Sequence, residues 1–426
     1  MNKEGINMEH RKQIKNAPLK LAILCMAFYA VTYICRKSFD SNINEIMDFY
    51  GRTKPDVGLI GTFFFIAYAA GQVVHGLMCK YYKARPVVFT MGLIVAGMNL
   101  LMGLVPVSGF PFLKFIWMIN GFACASFWSL LILTLNQNLA RKYKPMVVLV
   151  ACFPVSTGTF LSYAVSALLS FLHQFRYSFY IGCGVMVLTC VIWLIFSGRL
   201  IDVCREERLE IDGADEESAS KDESGKKKSG WTKSFIVLFS FLAFFAIANN
   251  LIRDGVNTWT PSILKETYGM ENWVSVMLSV LVPLMSVFGG LISIRLMKKV
   301  NDCVLGSGIL FAVSGILVAV LLLFFGSNIW LITLLCLIGV SLIMCSVNNI
   351  ITSIFPMNCE EVNAGTVAGV IDGFCYVGSA ISSYSMGALS ENTGSWTGVF
   401  VLFMCVSFLC AALSVAFALG KRAKAK

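Results

Sequence analysis

Residues 21–39 read LAILCMAFYAVTYICRKSF, and residues 235–256 read FIVLFSFLAFFAIANNLIRDGV. Each run is long enough to cross the roughly 30 Å hydrocarbon core of a bilayer as a helix, and neither shows the alternating pattern of a barrel strand. Each run also carries one arginine near its end, Arg36 or Arg253. A guanidinium in hydrocarbon costs about 2.5–3.5 kcal/mol even on a lenient scale, so we interpret the two arginines as functional. The partner that suits both is an anion.

The composition of the whole chain is that of a polytopic membrane protein. Of its 426 residues, 57% are hydrophobic and only 14% are charged. Twelve apolar runs of roughly 19 residues or more predict an all-α membrane protein with twelve transmembrane helices in two six-helix bundles. The runs are centred near Phe28, Phe65, Val95, Phe127, Thr157, Val187, Phe244, Leu281, Val313, Cys336, Phe374 and Met404.

A charged segment that is poor in aromatic residues separates the sixth run from the seventh. It predicts an N-terminal bundle over residues 1–198, a cytosolic linker over 199–232 and a C-terminal bundle over 233–426. Of the 34 lysines and arginines, 26 lie in the termini and in the loops on the linker side, and five lie on the other side. This bias predicts a multi-pass protein of the cytoplasmic (plasma) membrane with both termini in the cytoplasm.

Several classes of function lack a supporting motif. The 15 cysteines and three histidines show no paired spacing, so we expect no disulfide framework, no metal site and no cofactor. Without a Walker loop, an HExxH motif or a Ser/His constellation, the sequence argues against an enzyme. The net charge of +10 comes mainly from the cytosolic basic residues, so it indicates topology and contact with anionic lipid, with no case for nucleic acid.

The two arginines lie 217 positions apart, close to the offset between the first and seventh runs. Halves related by an axis along the membrane normal would bring both to one site at the membrane midplane. Helical spacing places further polar residues on the same faces, and we expect both faces to look into the cavity. These residues are Tyr29, Tyr33 and Asp40 beside Arg36, and Asn249, Asn250, Asn257 and Thr260 beside Arg253. The alternative is that Asp40 or Asp254 neutralises each arginine, which then only holds helices together.

Three segments carry a family resemblance: TYICRKSF at 32–39, LIRDGVNTWTPSILKE at 251–266 and NAGTVAGVIDGFCYVGS at 363–379. They resemble the organophosphate:phosphate antiporter family of the major facilitator superfamily, whose members transport glycerol 3-phosphate and hexose phosphates. In that family one arginine of span 1 and one of span 7 clamp the phosphoryl group. The resemblance assigns these roles to Arg36 and Arg253, and the lysine that follows the first arginine corresponds to Lys37.

The same resemblance implies aromatic residues around the cavity, at Tyr29, Tyr33, Tyr68, Trp128 and Tyr376. For each of them, ordinary packing is an equal alternative. The chain also departs from the family. Gln72 stands where glycerol phosphate members carry a lysine, no histidine occurs in span 5, and Asp372 stands in span 11 where glycine is common. Asp372 could pair with Lys37 or Arg253, or contact the ligand.

The resemblance therefore implies a secondary active transporter that exchanges a phosphorylated organic anion for inorganic phosphate by alternating access, working as a monomer in the bilayer. We expect the like charges of Arg36 and Arg253 to repel in the empty carrier, which would make exchange obligatory. Two alternatives stay open. One is a proton-coupled organic-anion (carboxylate) symporter with Asp40 or Asp372 as the proton carrier. The other is a transporter-like sensor that binds sugar phosphate without moving it.

Overall fold

The computed structural model describes residues 16–78, 81, 83–151, 153–219, 232–327, 329–357 and 364–425. Nearly all of these residues are helical, which confirms the predicted all-α class. The first half contains α1 (Ala17–Ser41), α2 (Ile43–Tyr50), α3 (Lys54–Met78), α4 (Ala84–Leu104), α5 (Phe110–Asn138), α6 (Lys144–Ala151), α7 (Pro154–Phe171) and α8 (Arg176–Ala219). The second half contains α9 (Lys233–Tyr268), α10 (Asn272–Ser279), α11 (Leu281–Ser286), α12 (Gly289–Val300), α13 (Cys303–Phe324), α14 (Trp330–Asn349), α15 (Phe355–Met357), α16 (Ala364–Thr393) and α17 (Thr397–Ala425).

Ten helical segments in the described residues are long and apolar enough to cross a membrane. The predicted spans near Thr157 and Phe374 are not among these ten. The first of them is divided, because α6 ends at Ala151 and α7 begins with Pro154, a residue that suits the first turn of a helix. The second corresponds to α16, which is long but carries Asp372 and many Gly and Ser residues. Both helices also hydrogen-bond to the other half through polar side chains, because Tyr163 donates to the carbonyl of Asn257 and Ser383 donates to that of Gly58.

The last helix of the first half is much longer than a membrane requires. α8 has 44 residues and continues through the start of the predicted linker to Ala219. It is attached to the end of α5, because the Arg208 guanidinium donates to the carbonyl of Gln137 at 2.5 Å and the Asp212 carboxylate accepts the N–H of Arg141 at 3.2 Å. The first part of the linker is therefore fixed to the N-terminal half. Residues 220–231 of the predicted linker lie outside the described residues.

The two halves meet at one end of the molecule, which we call the closed end. Its centre is a polar cluster in which Asn44 donates to Asn272 at 2.8 Å and accepts from Ser262 at 2.6 Å. Asn272 also donates to Glu45 at 2.7 Å and to Ser170 at 3.0 Å. Every one of these hydrogen bonds joins a residue of the first half to one of the second. The polar side chains thus satisfy one another while they hold the halves together.

Ion pairs surround this cluster at the closed end. The Lys54 ammonium lies 2.9 Å from a carboxylate oxygen of Glu266 and 3.7 Å from one of Glu391. Lys265 lies 2.7 Å from Asp48. These pairs also cross between the halves, so closure at this end combines a buried hydrogen-bonded centre with charges at its edge.

The seam between α3 and α16 runs from the closed end towards the middle of the molecule. Ser383 donates to the carbonyl of Gly58 at 2.9 Å, and Thr62 donates to the carbonyl of Ala380 at 2.8 Å. Farther along α16, a Cβ added at Gly369 or Gly373 would meet no atom within 4 Å. The halves therefore leave open space beside these two glycines, towards the end opposite the closed one, which we call the open end.

Candidate functional site

Two glycines set the position of the helices that carry the arginines. A Cβ on Gly158 of α7 would collide with the carbonyl oxygen of Ala30 in α1, and a Cβ on Gly378 of α16 would collide with that of Ile247 in α9. Ala30 and Ile247 each lie six residues before the arginine of their half. Small residues allow helix backbones to approach closely, so each arginine helix is seated on its neighbour in the same way.

Arg36 lies on α1 inside a cage of aromatic rings. Its Cζ is 4.9 Å from the ring centre of Tyr33, 4.9 Å from that of Tyr68 and 5.3 Å from that of Phe64. The residue is only 9% exposed, and within the described part of the chain its guanidinium has neither a hydrogen bond nor an ion pair. Desolvated cation–π contacts are worth about 2 kcal/mol, so the rings offset part of the cost of burial. They leave the N–H donors free for a ligand.

The aromatic residues expected around the cavity form two groups of contacting rings, and Arg36 lies over one ring of each group. Tyr29 contacts Tyr33 at 5.3 Å between ring centres and Trp128 at 5.1 Å. Tyr376, from the second half, contacts Tyr68 at 4.3 Å. The structure thus brings all five together beside Arg36, and the contact between Tyr68 and Tyr376 joins the two halves at the level of the arginine.

Arg253 lies on α9 in a different environment. Its Nε is 3.2 Å from Oδ1 of Asp254, and the other oxygen of this carboxylate accepts a hydrogen bond from Ser379 at 2.5 Å. The side chain of Arg253 remains 22% exposed. The carboxylate contact that the alternative expected is therefore present at Arg253.

The same alternative does not hold for Arg36. Asp40 forms its ion pair with Lys37, at 2.5 Å. Lys37 stands between Arg36 and Asp40 in the sequence of α1. Positions 37 and 40 are i and i+3, which face each other on a helix. Of the three site cations in the described structure, Lys37 and Arg253 each have a carboxylate at contact distance and Arg36 has none.

The asparagines of α9 take part in hydrogen bonds between helices. Asn249 and Asn250 are 0% and 1% exposed. Asn249 donates to Asn250 at 3.0 Å, and Asn250 donates to Ser379 at 3.2 Å. Asn257 accepts from Ser341 at 3.3 Å. We expected the amides to look into the cavity, but at these three positions they bond to other protein groups. Asn250 thereby supports Ser379, which in turn holds Asp254.

Gln72 and Asp372 complete the set of expected site residues. Gln72 lies one turn beyond Tyr68 on α3, and Asp372 lies one turn before Tyr376 on α16, so both neighbour the pair of tyrosines that joins the halves. Both are partly buried. Asp372 forms no ion pair with Lys37 or Arg253 in the described residues, although it interacts electrostatically with Arg253.

Two residues of the site were not expected from the sequence. Phe64 contributes one of the three rings over Arg36, and Tyr163 of α7 donates across the halves to the carbonyl of Asn257 at 3.1 Å. Phe64 stands in the run FFF at 63–65, where helical spacing does not single out one ring. Tyr163 follows five residues after Gly158, so the packing of that glycine against α1 is the signal that could have drawn attention to its helix.

Comparison with known proteins identifies the family. A family model described as the Major Facilitator Superfamily matches residues 25–383. The chain belongs to this superfamily. The fold agrees: a bacterial homologue of the human lysosomal transporter Spinster, solved in an inward-facing and occupied conformation, matches with a TM-score of 0.74 at 11% identity over 95% of this chain and 98% of that chain. A D-xylose–proton symporter matches with a TM-score of 0.67 at 13% identity over 93% and 96%.

Two kinds of sequence relative agree with the resemblance of the three segments. A probable hexose phosphate transport protein of Chlamydia trachomatis is 24% identical over 94% of this chain and 90% of its own length. The membrane sensor protein UhpC of Escherichia coli is 22% identical over 91% and 89%. Membership of the superfamily, with these relatives, makes the protein a multi-pass membrane transporter by family and not an enzyme.

Proposed function

We propose that this superfamily member carries a phosphorylated sugar or glycerol phosphate across the cytoplasmic membrane in exchange for inorganic phosphate. The observation that carries the proposal is Arg36: a buried cation, stacked among rings, with no acid of its own in the described structure. A phosphoryl group would supply the acceptors that its N–H donors lack. The names of the hexose phosphate relatives support the same substrate class.

The chemistry of binding is electrostatic and geometric. The planar guanidinium fork matches two phosphoryl oxygens, and a charge pair at 4 Å is worth about 4 kcal/mol at an effective dielectric of 20, before desolvation is subtracted. Arg36 would make the first contact from the N-terminal half, and Arg253 the second from the C-terminal half. Tyr68 and Tyr376 would lie against the substrate where the halves meet. Because substrate bridges both halves, it would favour the rigid-body rocking that exposes the site to each side in turn.

The orientation follows from the basic residues. With both termini in the cytoplasm, the closed end faces away from the cytoplasm and the open end, beside Gly369 and Gly373, faces it. The described conformation would then be the one that takes up or releases substrate on the cytoplasmic side. The polar cluster around Asn272 would have to separate before the site could open to the other side.

The test is counterflow in proteoliposomes that contain the purified protein and phosphate inside. External glucose 6-phosphate, glycerol 3-phosphate, a triose phosphate and a phosphonate should each be offered in turn, with the unphosphorylated sugar as the matched control. We expect labelled phosphate to leave much faster when a phosphorylated compound is present outside than when only the unphosphorylated sugar is present. No exchange with any of them, by protein that is folded and monodisperse, would contradict the proposal.

A sensor is the second candidate, because the relatives include UhpC, a protein named as a membrane sensor. A sensor would bind sugar phosphate without exchange. Calorimetry on the same preparation separates the sensor from the exchanger, since binding without counterflow favours the sensor.

The partly buried Asp372, which has no ion pair in the described chain, would suit a proton-coupled symporter instead. Uptake that a protonophore abolishes, with exchange spared, would favour that reading.

A further inference from the structure

Each site arginine is followed by a residue of definite charge, and the two charges are opposite. Lys37 follows Arg36, and Asp254 follows Arg253, so the second pair has the same 217-residue offset as the arginines. Residues 37 and 254 are thus equivalent positions of the two halves. One half therefore presents a cation, and the other an anion, at the same place.

Asp254 is held firmly from its own half. One oxygen lies 3.2 Å from Nε of Arg253, and the other accepts from Ser379 at 2.5 Å. The Arg253 side chain thus reaches the carboxylate of the residue that follows it on α9. The Arg253 guanidinium therefore already contacts a planar anionic group, the Asp254 carboxylate. A phosphoryl oxygen would need the same donor, so Asp254 and a substrate would compete for Arg253.

We propose that Asp254 is an internal counter-anion, which holds Arg253 in the empty carrier and is displaced from Arg253 by a substrate phosphoryl group. The inference rests on the proposed function, because it assigns the coupling behaviour of the same site. Ser379 keeps the carboxylate in place, and Asn250 keeps Ser379 in place. Arg36 has no such substitute in the described structure, so the anion meets it first.

This arrangement changes the expected behaviour of the empty carrier. From the sequence alone, repulsion between Arg36 and Arg253 slows reorientation of the empty carrier, so that exchange is expected to be obligatory. With Asp254 against Arg253 and Asp40 against Lys37, one cation of the three is left uncompensated. The empty carrier therefore reorients at a measurable rate, and net efflux accompanies exchange.

The experiment compares exchange with net efflux in one preparation. Proteoliposomes loaded with labelled phosphate, with the membrane potential clamped, are diluted into buffer with or without external phosphate. The full-length wild-type protein should show both fluxes. In Asp254→Asn, the ratio of net efflux to exchange should fall at least about tenfold, and the Kd for inorganic phosphate, measured by calorimetry, should fall about threefold to tenfold. Asp254→Glu should keep the ratio within about twofold of wild type, because it keeps the charge.

The matched control is Asp56→Asn. Asp56 is exposed at the start of α3, where it accepts from Thr53 at 2.9 Å, so this variant removes one acid outside the site. The ratio of net efflux to exchange and the Kd for inorganic phosphate of this variant should equal those of wild type. If Asp254→Asn does not yield monodisperse protein, Ser379→Ala replaces it, since it loosens the carboxylate without removing it. That variant should change both quantities in the same direction by about twofold to threefold.

An unchanged or higher ratio in Asp254→Asn, or weaker phosphate binding, would overturn the inference, and so would an unaltered Ser379→Ala. A purely structural role for Asp254 predicts loss of both exchange and affinity. The proposed function fails separately, when wild-type protein exchanges no phosphate and no phosphate ester. If it exchanges another anion instead, the same ratio measured with that anion still decides the role of Asp254.

Discussion

Arg36 and Arg253 occupy equivalent positions on helices that are seated in the same way, yet their surroundings differ. Rings enclose Arg36, and a carboxylate with a hydrogen-bonded support engages Arg253. Rings stabilise a cation without occupying its N–H donors, whereas a carboxylate occupies them. The N-terminal half therefore keeps the N–H donors of Arg36 free for a ligand, whereas the C-terminal half balances the charge of Arg253 with a carboxylate.

The largest expected effect comes from replacing each arginine with lysine. Both changes should abolish most phosphate exchange, because lysine lacks the bidentate fork. The loss should be greater for Arg36→Lys, at least about 100-fold against about tenfold for Arg253→Lys, since the ring cage fits a flat guanidinium. Initial rates of counterflow measure both. Near-normal exchange in either variant would remove that arginine from the clamp, and equal losses would show that the two environments do not matter.

The next effect tests what the halves share. Gly158→Leu and Gly378→Leu should each abolish transport, because a side chain at either glycine collides with a helix carbonyl and shifts an arginine helix. We expect losses of similar size, measured as exchange per molecule of folded protein. Gly369→Ala and Gly373→Ala are the controls, since their Cβ atoms meet open space. Tolerance of leucine at one seating glycine would show that the two helices are not held alike.

A smaller effect isolates the rings. Tyr68→Leu removes one ring from Arg36, and we expect the apparent Kd for phosphate to rise about fivefold to thirtyfold, in line with about 1–2 kcal/mol for a desolvated cation–π contact. Tyr68→Phe keeps the ring and should stay within about twofold. Calorimetry on purified protein provides the comparison. If the two variants behave alike, the hydroxyl and not the ring face is what matters.

The smallest effect concerns the support in the second half. Asn250→Ala removes the hydrogen bond to Ser379 and should change exchange by about threefold, the usual size for one neutral hydrogen bond of about 0.5–1.5 kcal/mol. Tyr33 occupies the equivalent position in the first half, 217 residues earlier, and contacts Arg36 directly. Tyr33→Leu should therefore cost more than Asn250→Ala. The reverse order of exchange rates would contradict the contrast between the halves.

The helical class and the two site arginines could be predicted from the sequence. The partners of the site residues could not. The long apolar runs predict the helical class. Helical periodicity and the 217-residue offset between the halves indicate Arg36 and Arg253 as site residues. Which acid pairs with which cation could not be predicted, because Asp40 suits Arg36 by spacing but is bound to Lys37 in the structure. The amides of Asn249 and Asn250 share the helix face of Arg253 and still bond to Asn348 and Ser379 of neighbouring helices. Such choices depend on tertiary neighbours that helical spacing does not contain.

The long α8 has a mechanical consequence. A helix of 44 residues measures about 66 Å, so it continues far beyond a hydrocarbon core of about 30 Å. Arg208 and Asp212 attach it beside α5, so it acts as a lever that turns with the first half. At a radius of about 30 Å, a 10° rotation would move its tip by about 5 Å. A fluorophore placed there would report each turnover as an optical signal, without any label inside the transport pathway.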